Sequence, residues 1–157
     1  MSPEFPPREI DRTPSGEAAS AIILVVERDP HVRELEEFFL REAGFDVRFA
    51  ESGDDALELI QHLRPPVVVT EILVPGLDGL TLTRLVREDQ SLDRVKVVTL
   101  SFLAAADRAA EAGADAFLLK PLSDDQLLST VRGLLPSDAS PELVGGGDAD
   151  SQTVQAI

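Results

Sequence analysis

The chain contains no cysteine, which removes disulfide bridges, thiolate metal sites and a cysteine nucleophile together, and fits a reducing compartment. No apolar run approaches the roughly 20 residues needed to cross a bilayer. The opening M-S-P-E-F-P-P also lacks the apolar core of a signal peptide. These absences point to a soluble cytoplasmic protein with no membrane contact. Basic residues are scarce: 14 Lys and Arg stand against 29 Asp and Glu, a formal net charge of −15. Phosphate backbones need a basic surface, so direct nucleic-acid binding is not expected and a basic or apolar protein partner suits the chain better. The only two histidines, His31 and His62, are far apart and without ligand-like neighbours. Both are assigned to helix surfaces.

What is present is enough for one core. With 157 residues, of which 43% are hydrophobic, the size prior gives a single domain. Residues 1–20 are rich in Pro, Ser and Glu without apolar period. The stretch from Pro136 onward holds Gly145-Gly146-Gly147 and four acidic residues but no Lys or Arg. Segments 1–20 and 137–157 are therefore read as disordered tails or linkers, flanking a folded domain over 21–136.

Within that domain, strand-like and helix-like stretches alternate five times. The central one is P-P-V-V-V-T-E-I-L-V-P-G-L-D-G, Pro65 to Gly79. Three consecutive β-branched residues suit a strand buried on both faces, and the strand runs into one carboxylate, Glu71. Ala21 to Val26 is a buried strand, followed by a helix from Pro30 to Ala43 with Asp29 as N-cap and Val32, Leu35, Phe39 and Ala43 inward. Phe45 to Phe49 is a short strand, and Ser52 caps a helix facing Ala56, Leu59, Ile60 and Leu63 inward. After Glu71, Asp78 caps a helix over Gly79 to Glu88 with Leu82, Leu85 and Val86 buried. Val95 to Ser101 is the fourth strand. The helix expected from Leu103 to Ala112 is nearly all alanine on its apolar side, with good propensity but little area to anchor it. Ala116 to Leu119 is the fifth strand, and Ser123 caps a last helix with Leu127, Leu128, Val131, Leu134 and Leu135 on one stripe.

Five strand-helix units with short connections imply an α/β parallel sheet covered on both faces. In such sheets a ligand crevice lies beyond the carboxyl ends of the strands. The polar residues gather there: Glu27, Arg28 and Asp29 after the first strand, Glu71 after the third, Ser101 at the end of the fourth and Lys120 after the fifth.

The segments I-L-V-V with its following charges, P-x-V-V-V-x-E-x-x-V-P-G-x-D-G, V-V-T-L-S and G-A-D-A-F-L-L-K-P occur in an order and spacing that resemble a bacterial response regulator receiver domain over about Ile22 to Leu135. The resemblance implies a flavodoxin-like doubly wound (βα)5 fold with sheet order 2-1-3-4-5. It also implies a phospho-accepting aspartate after the third strand and a Mg²⁺ site that uses an acidic pair after the first. A hydroxyl after the fourth strand and a lysine usually followed by a cis proline complete the expected site. Ser101 matches the hydroxyl and Lys120 the lysine. Glu71 stands where the aspartate should be, Glu27 matches the first member of the acidic pair, and Arg28 takes the second. A slipped register, with Asp29 as the ligand and Arg28 toward solvent, is the alternative.

These departures bear on chemistry. A family-typical pocket of three carboxylates and one lysine leaves an excess of about two negative charges for a divalent ion. Counting Glu27 and Glu71 against Arg28 and Lys120 leaves none, and Arg28 is expected to reach Glu71 as a tethered cation. Glu71 also displaces the nucleophilic oxygen by a methylene, roughly 1.5 Å, where about 1 Å can cost about 100-fold. The expectation is a phosphorylation-independent pseudo-receiver, not an enzyme, with no cofactor. It would bind a protein partner through the fourth helix, fifth strand and fifth helix, with Glu71 imitating a phosphorylated aspartate near Ser101 and Lys120, and Phe117 as the inward aromatic switch.

The alternative is a working phospho-acceptor with a modified Mg²⁺ site formed by Asp29, Glu71 and the Leu73 carbonyl. A flavodoxin-like cofactor binder would need a hydroxyl- and glycine-rich loop where Glu27-Arg28-Asp29-Pro30 stands, so a small-molecule ligand is not expected. Direct DNA binding would need an added output domain.

Overall fold

Five short segments pair in parallel, the three central ones buried on both faces and the two edge ones only in part, and each crossover is a helix. The computed structural model describes residues 21–136, and the two expected tails lie outside the described residues. The elements are β1 (Ile22–Val26), α1 (Pro30–Glu42), β2 (Asp46–Ala50), α2 (Gly53–Leu63), β3 (Val67–Glu71), α3 (Gly79–Glu88), β4 (Lys96–Ser101), α4 (Ala106–Ala112), β5 (Ala116–Leu119) and α5 (Asp124–Leu134). A single 3₁₀ turn, Gln90–Leu92, precedes β4. The sheet order is β2-β1-β3-β4-β5, the order implied by the sequence resemblance.

Alternation along the strands divides the core in two. Leu24, Val26, Val68 and Val97 face α2 and α3, where Ala56, Ile60, Leu82 and Val86 meet them. Ile23, Val25, Val67, Val69, Val98 and Leu100 face α1 and α5, against Leu40, Leu127 and Val131. A third, smaller cluster joins Ile72 and Leu80 to Ala105, Ala109 and Ala112 with Phe117 against them.

Every expected side-chain cap forms. Asp29 accepts from the amides of His31 and Val32, Ser52 from Asp55, Asp78 from Leu80 and Thr81, and Ser123 from Gln126 in a capping box. Gly79 must be glycine, because its amide donates to the Ile72 carbonyl at 2.7 Å and a Cβ there would collide with the Glu71 carbonyl. That close approach folds the chain back directly beneath Glu71.

Two expectations are corrected. Helix α4 begins at Ala106 rather than Leu103: the Leu103 amide donates to Ser101 Oγ in the turn after β4, and Ala105 stands at the N-cap without a side-chain hydrogen bond. The buried face of α1 is also rotated by about one residue. Leu35 is 50% exposed while Glu36, at 3%, lies inward with Leu40. Packing between β1 and α5 sets that rotation, and helical period alone allowed either face. His31 and His62 are on helix surfaces.

Candidate functional site

The carboxyl ends of β1, β3, β4 and β5 bring together Glu27, Glu71, Ser101 and Lys120, which are 2%, 6%, 2% and 7% exposed. Lys120 is placed by its own backbone, whose amide donates to the Ser101 carbonyl at 2.8 Å, ahead of a cis peptide to Pro121. Its Nζ donates to Glu27 Oε1 at 2.7 Å and lies 2.6 Å from Glu71 Oε1. The second oxygen of each carboxylate is also committed. Glu27 Oε2 accepts from the Asp29 amide at 3.2 Å, and Glu71 Oε2 from the Leu73 amide at 3.0 Å. Each carboxylate is thus pinned between the ammonium and an amide two residues downstream. Burial alone would lower Lys120, but its hydrogen bonds to Glu27 and Glu71 outweigh that and hold it above the ordinary lysine value.

Above this cluster opens a cleft of about 180 Å³, with Arg28, Leu73 and Phe102 on its walls. Phe102 is 63% exposed and its ring lies 5.2 Å from Lys120 Nζ, a cation–π contact on the solvent side. Ser101 is in place, but its Oγ accepts from the Leu103 amide at 3.0 Å. No hydrogen bond joins it to Glu71 among the described residues. Glu71 therefore meets Lys120 as expected, and not Ser101. Phe117 is half-buried against the Ile72 and Leu80 cluster.

Arg28 does not take the expected place. It is exposed on the cleft wall and makes no ion pair among the described residues. The chain leaves β1 with Glu27 turned inward, and Asp29 is held on the amides of α1, so Arg28 between them faces out. Lys120 supplies the cation that had been expected from Arg28. Counting Glu27, Glu71 and Lys120, the buried trio carries one net negative charge.

The donor set does not fit Mg²⁺, which demands near-octahedral oxygen ligation at about 2.0–2.1 Å. The ammonium already bridges the two inward carboxylates, while the Asp29 carboxylate caps α1, where its two backbone hydrogen bonds hold its pKa below the usual range. Asp29, Glu71 and Leu73 all line the cleft, but the carboxylates of Asp29 and Glu71 are held by backbone amides and, for Glu71, by Lys120. Among the described residues, no three His, Cys, Asp or Glu side chains are arranged to hold a metal.

Sequence reasoning missed Glu36. Its carboxyl oxygens lack a hydrogen-bond partner among the described residues, and it lies where Glu27, Lys120 and Glu71 act on it electrostatically. Its four-residue spacing from Val32 and from Leu40 was the available signal, and the more apolar Leu35 masked it.

The response regulator receiver domain profile matches residues 23–132. The DNA-binding response regulator MtrA of Mycolicibacterium smegmatis is 31% identical over 130 residues, 82% of this chain and 57% of MtrA. Response regulator Rre1 of Synechocystis is 33% identical over 136 residues, 84% of this chain and 59% of Rre1. The chain thus spans somewhat over half the length of these curated relatives. Among solved structures, the receiver domain of the Francisella response regulator 1452 superposes with a TM-score of 0.69 at 30% identity, covering 73% of this chain and 96% of that one.

Proposed function

Because the chain belongs to the response regulator receiver domain family, we propose that it acts as a phosphorylation-independent pseudo-receiver that binds a protein partner. Receiver domains are signalling modules of two-component systems, not enzymes, and response regulators act with proteins such as histidine kinases. The reading takes residues 21–136 as the receiver unit, acting in the cytoplasm. Among the described residues no helix is long and apolar enough to cross a membrane.

The observation that carries the reading is the double commitment of Glu71. One oxygen lies 2.6 Å from the Lys120 ammonium and the other accepts the Leu73 amide at 3.0 Å. An ionised carboxylate has about four acceptor positions, and two of those on Glu71 are taken, which holds its orientation to Lys120 and to the Leu73 amide without a metal. Phosphoryl transfer rests on in-line positioning and metal electrostatics, and here the ammonium sits between the carboxylates that would face a metal. Glu71 stands in for the acidic group that phosphorylation would otherwise supply, with Lys120 as its partner. Incubated with acetyl phosphate and Mg²⁺ at neutral pH, the protein should gain no phosphoryl mass by intact mass spectrometry. A labelled wild type would establish instead a working phospho-acceptor with a modified Mg²⁺ site.

The partner surface is α4, β5 and α5. Ala106 and Ala110 are exposed on α4, and Leu119 at the end of β5 is 50% exposed. Interface cores exclude unpaired charge, so Ala106→Glu or Ala110→Glu should weaken a protein captured on the wild-type domain by about tenfold. Binding measured by calorimetry should be the same with and without acetyl phosphate. Equal binding by the two variants, or binding that requires the phosphodonor, would remove this assignment.

A further inference from the structure

Glu36 is a buried ionisable group that the site described so far does not use. On α1 it lies one turn from Val32, which lines the cleft, and one turn from Leu40, which is fully buried. Neither of its oxygens has a hydrogen-bond partner among the described residues, although the residue is only 3% exposed. A carboxylate without donors in such surroundings is strongly disfavoured, and taking up a proton relieves it.

The charged groups around it can be followed element by element. Glu27 after β1 and Glu71 at the end of β3 oppose its ionisation, and Lys120 after β5 favours it. On α1 itself, Arg33 pairs with Glu51 and Glu37 with Arg41, while His31 and Glu34 are exposed. Asp46 and Arg48 of β2 pair with each other at the surface, and Asp124, Asp125 and Arg132 of α5 are exposed. The cations of these elements are paired or exposed at the surface, and none of them hydrogen-bonds to Glu36 among the described residues.

We propose that Glu36 is a proton-binding site beneath the cleft, and that its deprotonation is transmitted to the Glu27–Lys120–Glu71 cluster. With Glu36 protonated, Lys120 balances all but one negative charge. Release of the proton leaves two uncompensated, and the hold of Lys120 on Glu27 and Glu71 is then shared with a third carboxylate. Burial first, and the Glu27 charge second, push Glu36 up to about 8 from 4.5. Because the folded value is the higher, the folded state binds the extra proton between those two values. Its contribution to stability is complete below about 4.5 and is lost as pH rises through about 8.

The test uses the whole chain, without phosphodonor or partner, so its outcome is separate from that of the pseudo-receiver reading. Carboxyl ¹³C NMR should show one glutamate titrating near pH 8, absent from Glu36→Gln. The amides of Leu73 and Asp29, which report on Glu71 and Glu27, should shift with the same midpoint. In urea denaturation at constant ionic strength, the wild-type folding constant should fall on the order of a hundredfold or more between pH 5 and pH 9. Glu36→Gln or Glu36→Leu should flatten that fall. The site is overturned if no glutamate of the wild type titrates above about pH 6.5, and the coupling if Glu36 titrates while both amides stay still.

Discussion

Lys120→Met should lower the free energy of unfolding by about 3–5 kcal/mol, measured by urea denaturation at neutral pH, since removing one partner of a buried ion pair strands the other. Here it strands two. Glu27 and Glu71 are 2% and 6% exposed, and each would keep only its single amide donor, from Asp29 and Leu73. Methionine is close to lysine in length and keeps most of the packing, so the loss reports charge rather than volume. Arg28→Ala is the control. Its guanidinium is exposed and unpaired among the described residues, and no measurable change is expected. If Arg28→Ala proves as damaging as Lys120→Met, the guanidinium shares with the ammonium in holding the site in solution.

Arg28→Asp combined with Glu71→Asp should give a domain that gains a single phosphoryl group from acetyl phosphate and Mg²⁺, where the proposed function expects none on the wild type. The reasons are additive at first sight and cooperative in fact. Shortening the residue at 71 by a methylene, roughly 1.5 Å, draws its carboxylate back from the ammonium and from the Leu73 amide, freeing an oxygen to act as nucleophile. Exchanging a cation for a carboxylate at position 28, on the wall of the cleft, moves the local balance by two negative charges and supplies a hard oxygen ligand. Ser101 and Lys120 are already in position and need no change. Either substitution alone leaves one obstacle standing, so both singles should label far more weakly than the pair. A folded double variant that takes up no phosphate would show that the obstacle lies elsewhere in the cleft.

Much of this was legible from local signals. Unbroken apolar runs marked the strands at Ile22–Val26 and Val67–Glu71, and Asp29, Ser52, Asp78 and Ser123 each announced the helix they cap. The crossover pattern then carried Glu27, Glu71, Ser101 and Lys120 to one edge of the sheet, because parallel strands share a carboxyl end. These features are decided within a few residues, by side-chain branching, by an oxygen three positions from an amide, or by the geometry of a right-handed crossover.

Tertiary structure alone decided which cation meets Glu71 and which face of α1 turns inward. Charge counting favoured Arg28 as the cation that meets Glu71, yet the bridge from Lys120 to Glu27 spans 93 residues and exists only because β1, β3, β4 and β5 lie side by side with their carboxyl ends at one edge. The start of α4 at Ala106 rather than Leu103 was likewise left open by alanine propensity, which carries no boundary of its own. Glu36 shows the same division most plainly. A glutamate beside a leucine is read as the exposed member of the pair, because a lone carboxyl is costly to bury. Only the docking of α1 between β1 and α5 turned Leu35 out and Glu36 in, since that rotation buries Leu40 fully and the helix moves as one body.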